Sequence, residues 1–158
     1  RAETGNHFYI AVAAYPEYHP QASYPGKDLA HFVNKVKKGA NIALTQYFYN
    51  ADAYFYFVEQ CQKNGVNVPI VPGIMPITNF KQLARFSDMC GSEIPRWIRQ
   101  RLAHYDALED KASIEAFGLE VVSKLVETLI KGGAPGLHFY SMNKFGPTQQ
   151  ILQNIQLN

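Results

Sequence analysis

Four short apolar runs, each set between stretches with helical period, constrain this chain more than anything else in it. The runs are Phe8–Ala14, Ile42–Phe48, Val68–Pro76 and Gly136–Asn143. Apolar residues on consecutive rather than alternate positions read as parallel strands buried on both faces. Between the runs lie helical stripes: Leu29, Phe32, Val33 and Val36 from about Gly26 to Lys38, then Tyr54, Phe57, Val58 and Cys61 after Asn50 as N-cap. Asn79 opens a helix with Phe80, Leu83, Ala84 and Phe86 inward, and Pro95 at N1 opens another carrying Trp97, Ile98, Arg101 and Leu102. A long helix spans about Lys111 to Lys131, and a short one with Ile151, Leu152 and Ile155 ends the chain. Strands alternating with helices imply right-handed parallel crossovers. Four strands are too few to close a barrel, which needs eight. An open sheet, however, needs edge strands that tolerate water, and all four runs are apolar. The expected class is therefore α/β, a single domain over 1–158 built of parallel (βα) units forming half of a (βα)8 TIM barrel.

Composition narrows the partners. Basic residues number 15 and acidic residues 13, a net charge of +2, which is too mild to argue for nucleic acid or a membrane surface. No run approaches the ~18 apolar residues of a membrane span. The opening Arg1-Ala2-Glu3-Thr4 leads into no signal-peptide pattern, so a cytoplasmic location is expected. The first residue is not Met, from which an upstream segment is expected to have been removed. Cys61 and Cys90 both fall on helical apolar stripes and are expected to be free, buried thiols. No nucleotide-loop, zinc-ligand or nucleophile-elbow motif is present, so no metal site is expected.

Several polar residues stand where ligands bind in α/β proteins. Gln46 lies at the C-terminal end of the second strand, the end from which such proteins reach their ligands. A buried amide must find partners, either neighbouring backbone or a bound molecule. Asp28, His31, Asn34 and Lys35 share one polar helix face, which is either solvated or a phosphate cradle. Asn79 and Gln82 have the spacing of a capping box, which would satisfy backbone donors without a ligand. His138, inside a strand, reads as a hydrogen-bonded core histidine.

Taken jointly, four blocks resemble the bacterial methylenetetrahydrofolate reductases. They are Ala13-Ala14-Tyr15-Pro16-Glu17-Tyr18-His19-Pro20, Thr45-Gln46-Tyr47-Phe48, Pro72-Gly73-Ile74-Met75-Pro76-Ile77-Thr78-Asn79-Phe80 and His138-Phe139-Tyr140-Ser141-Met142-Asn143. The resemblance implies strands five to eight, the C-terminal half, of a flavin-containing barrel serving one-carbon metabolism and methionine supply. It implies reduction of 5,10-methylenetetrahydrofolate to 5-methyltetrahydrofolate, with hydride passing from NADH or NADPH through FAD. Carried over by motif, Tyr15, His19, Ala22, Asp28, His31, Asn34 and Lys35 match flavin-contacting positions, although the family more often has Asn and Arg at positions 31 and 34. Gln46 matches the glutamine that meets both folate and nicotinamide. Gln82 and Phe86 match substrate-side contacts, and Lys144 stands where the family more often has arginine. The family's general acid, a first-strand glutamate, matches no residue of these 158, and neither does the fourth-strand aspartate beside the flavin ring. The alternative is a non-catalytic half-barrel that only associates or keeps partial flavin affinity. An unrelated flavin barrel of the proline dehydrogenase kind would leave the Thr45-Gln46 and Pro72–Phe80 blocks as coincidence. Unpaired strand edges in a half-barrel further predict a homo-oligomer.

Overall fold

The computed structural model describes residues 3–155. In chain order the elements are β1 (Ala11–Ala14), α1 (Pro25–Lys37), β2 (Ile42–Tyr47), α2 (Ala51–Lys63) and β3 (Ile70–Ile74), then α3 (Phe80–Cys90), α4 (Arg96–Ala107), α5 (Lys111–Lys131), β4 (His138–Phe139) and α6 (Phe145–Asn154). The strands form one parallel sheet in the order β1-β2-β3-β4. Spatial order repeats chain order, so right-handed crossovers bring the helices to a common face.

Burial follows from that arrangement. On β2, Ala43, Thr45 and Tyr47 are buried, while Ile42, Leu44 and Gln46 are half-buried. The buried side meets the helices: the Tyr47 hydroxyl lies 3.2 Å from Ser87 Oγ of α3. The register sets Ala11 beside Ile42 and Ala13 beside Leu44, and lateral partners in a sheet point to the same face. Ala11 and Ala13 thus share a second face with Ile42 and Leu44; it is exposed at β1, half-buried at β2 and buried at β3.

The core lies between sheet and helices. α5 supplies most of it, burying Ile114, Phe117, Val121, Val122, Leu125, Val126 and Leu129 along one stripe. Asp110 caps that helix, its carboxylate accepting from the Ser113 N–H at 3.0 Å and the Ser113 hydroxyl at 2.6 Å. Asn50 caps α2 through the Asp52 N–H.

Several boundaries differ from the sequence expectation. β1 starts at Ala11, not Phe8, because the Ile10 N–H goes to the Asn41 side chain and Phe8 and Tyr9 are exposed. β3 is shorter than Val68–Pro76, and β4 keeps only His138–Phe139 as ladder. Beyond Ile74, Pro76 has no N–H to offer a neighbour; a last bond runs from the Tyr140 N–H to the Ile74 carbonyl, and Met142 and Asn143 then turn left-handed. Pro95 is the N-cap of α4 rather than its first residue. Trp97, Arg101 and Leu152, named with the apolar residues of their helices, are exposed. Trp97 and Arg101 instead cover the Phe117 ring from outside, edge-on at 5.9 Å and as a cation over the ring at 5.0 Å. Cys61 and Cys90 are both free; Cys61 is buried and Cys90 only half-buried. Among the described residues no helix is long and apolar enough to cross a membrane, and no group of three His, Cys, Asp or Glu is placed to hold a metal.

Candidate functional site

Parallel strands put all their C-terminal ends on one side, and the polar residues singled out in the sequence follow those ends. After β1 the chain turns through Tyr15-Pro16-Glu17-Tyr18 into His19. Tyr18 has φ 141, a conformation that L-residues rarely adopt and that is held only where surroundings over-determine it. His19 is well fixed: its ring stands edge-on to Tyr15 at 4.6 Å, its N–H donates to Asp28 Oδ2 at 3.0 Å, and its Nδ1 accepts from the Gln21 N–H at 3.1 Å. An accepting Nδ1 leaves the ring proton on Nε2. Ala22 closes the same turn through its N–H to the His19 carbonyl. Burial, then the Asp28 charge, raise the Tyr15 pKa, so this phenol stays a neutral donor.

On α1, His31, Asn34 and Lys35 are exposed and Asp28 is half-buried. Lys35 does not simply face outward: its Nζ donates to the Ala13 carbonyl at 2.6 Å. Ile10 turns its carbonyl toward Asn41 and Ile42 at the start of β2. Alternate residues of a strand point to opposite sides, so the Ala13 carbonyl lies on the free edge of β1, and the ammonium covers it.

At the end of β2, Gln46 sits in a recess with Tyr15, Glu17, Tyr47, Cys90 and Ser92. Its Oε1 accepts from the Tyr47 N–H at 3.1 Å; that donor fixes the amide's orientation, leaving its NH2 without a partner among the described residues. Glu17 joins the β1–α1 turn to the segment after α3, its Oε2 accepting from the Glu93 N–H at 2.8 Å. Burial pushes the Glu17 carboxyl up to about 7. Ser92 donates to the Tyr47 carbonyl at 2.8 Å and secures the same segment.

The ends of β3 and β4 make a cleft lined by Gln82, Phe86 and Lys144 together with Met75, Thr78 and Tyr140. Gln82 and Phe86 are one turn apart on α3, and the helix is aimed by Asn79, whose Oδ1 accepts from the Gln82 N–H at 2.8 Å. Only that arm of the capping box forms; the Gln82 side chain faces the cleft. Lys144 follows a tight turn with Met142 at φ 51 and Asn143 at φ 60, closed by the Lys144 N–H to the Ser141 carbonyl at 2.8 Å. Two successive left-handed residues without glycine carry strain, and they bring the ammonium to 3.3 Å from Thr78 Oγ1. The cleft encloses only about 30 Å3, well below the 300–1,000 Å3 of ordinary ligand pockets.

The sequence-selected residues thus fall into three neighbouring groups: Tyr15, His19, Ala22 and Asp28 around the first turn, Gln46 in its recess, and Gln82, Phe86 and Lys144 in the cleft. His31, Asn34 and Lys35 flank the first group on α1. His138 is half-buried, its ring edge-on to Tyr140 at 4.9 Å. Sequence reasoning missed Tyr140, Glu17 and Ser92. A phenol two residues past a strand histidine carries no spacing signal, and Glu17 and Ser92 meet only through tertiary contact.

The model of the methylenetetrahydrofolate reductase family matches residues 1–156. The chain is 41% identical over 137 residues to the 5,10-methylenetetrahydrofolate reductase of Buchnera aphidicola subsp. Schizaphis graminum, with 87% of this chain and 46% of that protein covered. The Escherichia coli K12 enzyme of the same name is 40% identical over 138 residues, with the same coverage of each. A probable methylenetetrahydrofolate reductase (NADH) of Oryza sativa subsp. japonica is 36% identical over 166 residues, covering 99% of this chain and 28% of that protein. The chain spans about half the length of the bacterial relatives it matches. Among solved structures, an uncharacterized protein from Clostridium thermocellum that binds two copies of 5-methyl-5,6,7,8-tetrahydrofolic acid superposes with a TM-score of 0.62 at 22% identity, covering 98% of this chain and 54% of that one. At that identity the likeness is one of fold.

Proposed function

The chain belongs to the methylenetetrahydrofolate reductase family, and from that premise we propose that it forms strands five to eight, the C-terminal half, of a (βα)8 barrel that reduces 5,10-methylenetetrahydrofolate to 5-methyltetrahydrofolate. NADH or NADPH is the reductant and FAD the cofactor. The observation that carries the reading is the cleft in which Gln82, Phe86 and Lys144 meet beside the Gln46 recess, all at the C-terminal ends of the strands. The shallow cleft and the exposed Ala11 and Ala13 of β1 support a complementary half that closes both. The free edges of β1 and β4 support self-association, and a cytoplasmic enzyme of one-carbon metabolism completes the reading.

The first-turn residues fit a flavin dinucleotide by their donor chemistry. Lys35 offers an exposed ammonium, His19 a ring N–H and Tyr15 a phenol O–H, and the Asp28 carboxylate is already engaged by the His19 N–H. His31, Asn34 and Ala22 would complete the contact. When bound, FAD supplies the hydride chemistry. Gln46 presents a free NH2, suited to a pterin edge or a nicotinamide carboxamide. Phe86 packs against whichever ring system is bound, and Gln82 donates or accepts beside it. Lys144 offers a point charge to an anionic group, without the bidentate fork of an arginine. The general acid is not assigned to any residue of this chain.

The test is anaerobic titration of purified protein loaded with FAD. Reduction of the flavin band by NADH or NADPH, followed by reoxidation by methylenetetrahydrofolate, is the expected result. A protein that retains FAD but answers neither substrate would instead be a non-catalytic half-barrel. One that takes up no FAD overturns the cofactor reading.

A further inference from the structure

We propose that Tyr140 is a positioning residue for Gln46, its hydroxyl holding the bulge in β2 from which the Gln46 amide is presented; this rests on the reading of Gln46 as a substrate-binding group. Leu44 pairs with Val71 but Tyr47 pairs with Gly73, so β2 carries one more residue than β3 across this interval. Such a bulge releases backbone groups from the ladder and re-aims side chains. Both released groups are met by side chains. The Gly73 N–H donates to Thr45 Oγ1 at 2.8 Å, and the Thr45 carbonyl accepts the Tyr140 hydroxyl at 2.9 Å.

Space is arranged for this contact. A Cβ on Gly73 would overlap the Thr45 carbonyl and sit 2.7 Å from the Tyr140 ring. Only glycine at 73 lets the phenol cross β3 to reach β2. Thr45 is fully buried, so its carbonyl has little access to water in place of the phenol. Burial, then the neighbouring Tyr15, raise the Tyr140 pKa and keep the hydroxyl a donor. Gln46 is the residue immediately after this lock, and its own Oε1 is turned back onto the Tyr47 N–H. Without the phenol, the extra residue can migrate along β2, and a one-residue slip sends a side chain to the opposite face of the sheet. Tyr140 also lines the Gln82–Phe86–Lys144 cleft, so it ties the two parts of the site together.

A double-mutant cycle on the full-length FAD-loaded protein tests the proposal, with the dissociation constant of 5-methyltetrahydrofolate as readout. Gln46→Ala and Tyr140→Phe should each weaken binding, by roughly 2- to 10-fold for one neutral hydrogen bond. The double variant should be no weaker than Gln46→Ala alone, because Tyr140 acts through Gln46. A structural role alone would leave the cycle additive, and additivity overturns the proposal. So does unchanged affinity in Tyr140→Phe while Gln46→Ala weakens binding, an outcome that leaves the proposed function standing. Unchanged affinity in Gln46→Ala overturns the substrate role of Gln46 and the positioning role with it.

Discussion

Gly118, inside α5, lies directly against Ile77: an added Cβ would overlap the Ile77 carbonyl and stand 2.7 Å from the Ile77 Cβ. Alanine there would be a better helix former by about 1 kcal/mol, but overpacking against backbone costs about 1–3 kcal/mol. Steric cost should win. Gly118→Ala is expected to lose up to about 2 kcal/mol in urea unfolding, and a gain would mean that the segment after β3 yields.

Glu17 should make stability depend on pH. Its folded pKa is raised from 4.5 to about 7 by burial. The folded state therefore holds the proton more tightly than the unfolded chain does. Stability from this group is fully present below about 4.5 and is lost as the pH rises through about 7. Glu17→Gln keeps an acceptor for the Glu93 N–H but cannot ionise. Relative to wild type, its melting temperature should improve more at pH 8 than at pH 5; an equal difference at both would refute the assignment.

Asn79 caps the helix that bears Gln82 and Phe86. Asn79→Ala should lose about 1 kcal/mol of stability, whereas Asn79→Asp should lose little. The amides of the first turn of α3 should exchange faster in the alanine variant, and affinity for 5-methyltetrahydrofolate should fall along with the helix order.

Lys35→Ala should weaken FAD retention by roughly 10-fold, the low end for a charge-assisted hydrogen bond because the side chain is exposed. Flavin release on dilution measures it. Retention equal to wild type would leave Lys35 only the task of covering the Ala13 carbonyl.

The strand–helix alternation was legible because each helix carries a clean stripe and each strand an apolar run. Leu29, Phe32, Val33 and Val36 read as one face, and Phe32 and Val33 are indeed buried. Strand ends were not legible, since they depend on which neighbour has an N–H to give: Pro76 ends β3, and the side chain of Asn41 takes the Ile10 N–H. Gln46, Gln82, Phe86 and Lys144 were picked out by the family resemblance; the structure brings Gln82, Phe86 and Lys144 into one cleft and sets Gln46 in a separate recess. The bond made by Tyr140 was not legible because its partner is a carbonyl 95 residues away, and a backbone acceptor leaves no mark in the side-chain pattern. The Lys35 bond to the Ala13 carbonyl was not legible either, because helical spacing places a residue on a face and says nothing of how far a flexible stem reaches back.

A sheet laid down in chain order also shapes how the molecule assembles. Early closures are short: the Ile10–Asn41 bond spans 31 residues and the Gly73–Thr45 bond spans 28. A chain emerging N-terminus first can therefore add each strand to the edge just completed. The last step differs, because three helices intervene between β3 and β4. Its entropic penalty is small, about 0.6 kcal/mol per doubling of the loop, but its delay is not. Throughout that interval β3, whose five residues are all buried at the end, offers an unpaired edge to any other chain. The window for misassembly is set by how quickly α3, α4 and α5 are made and docked.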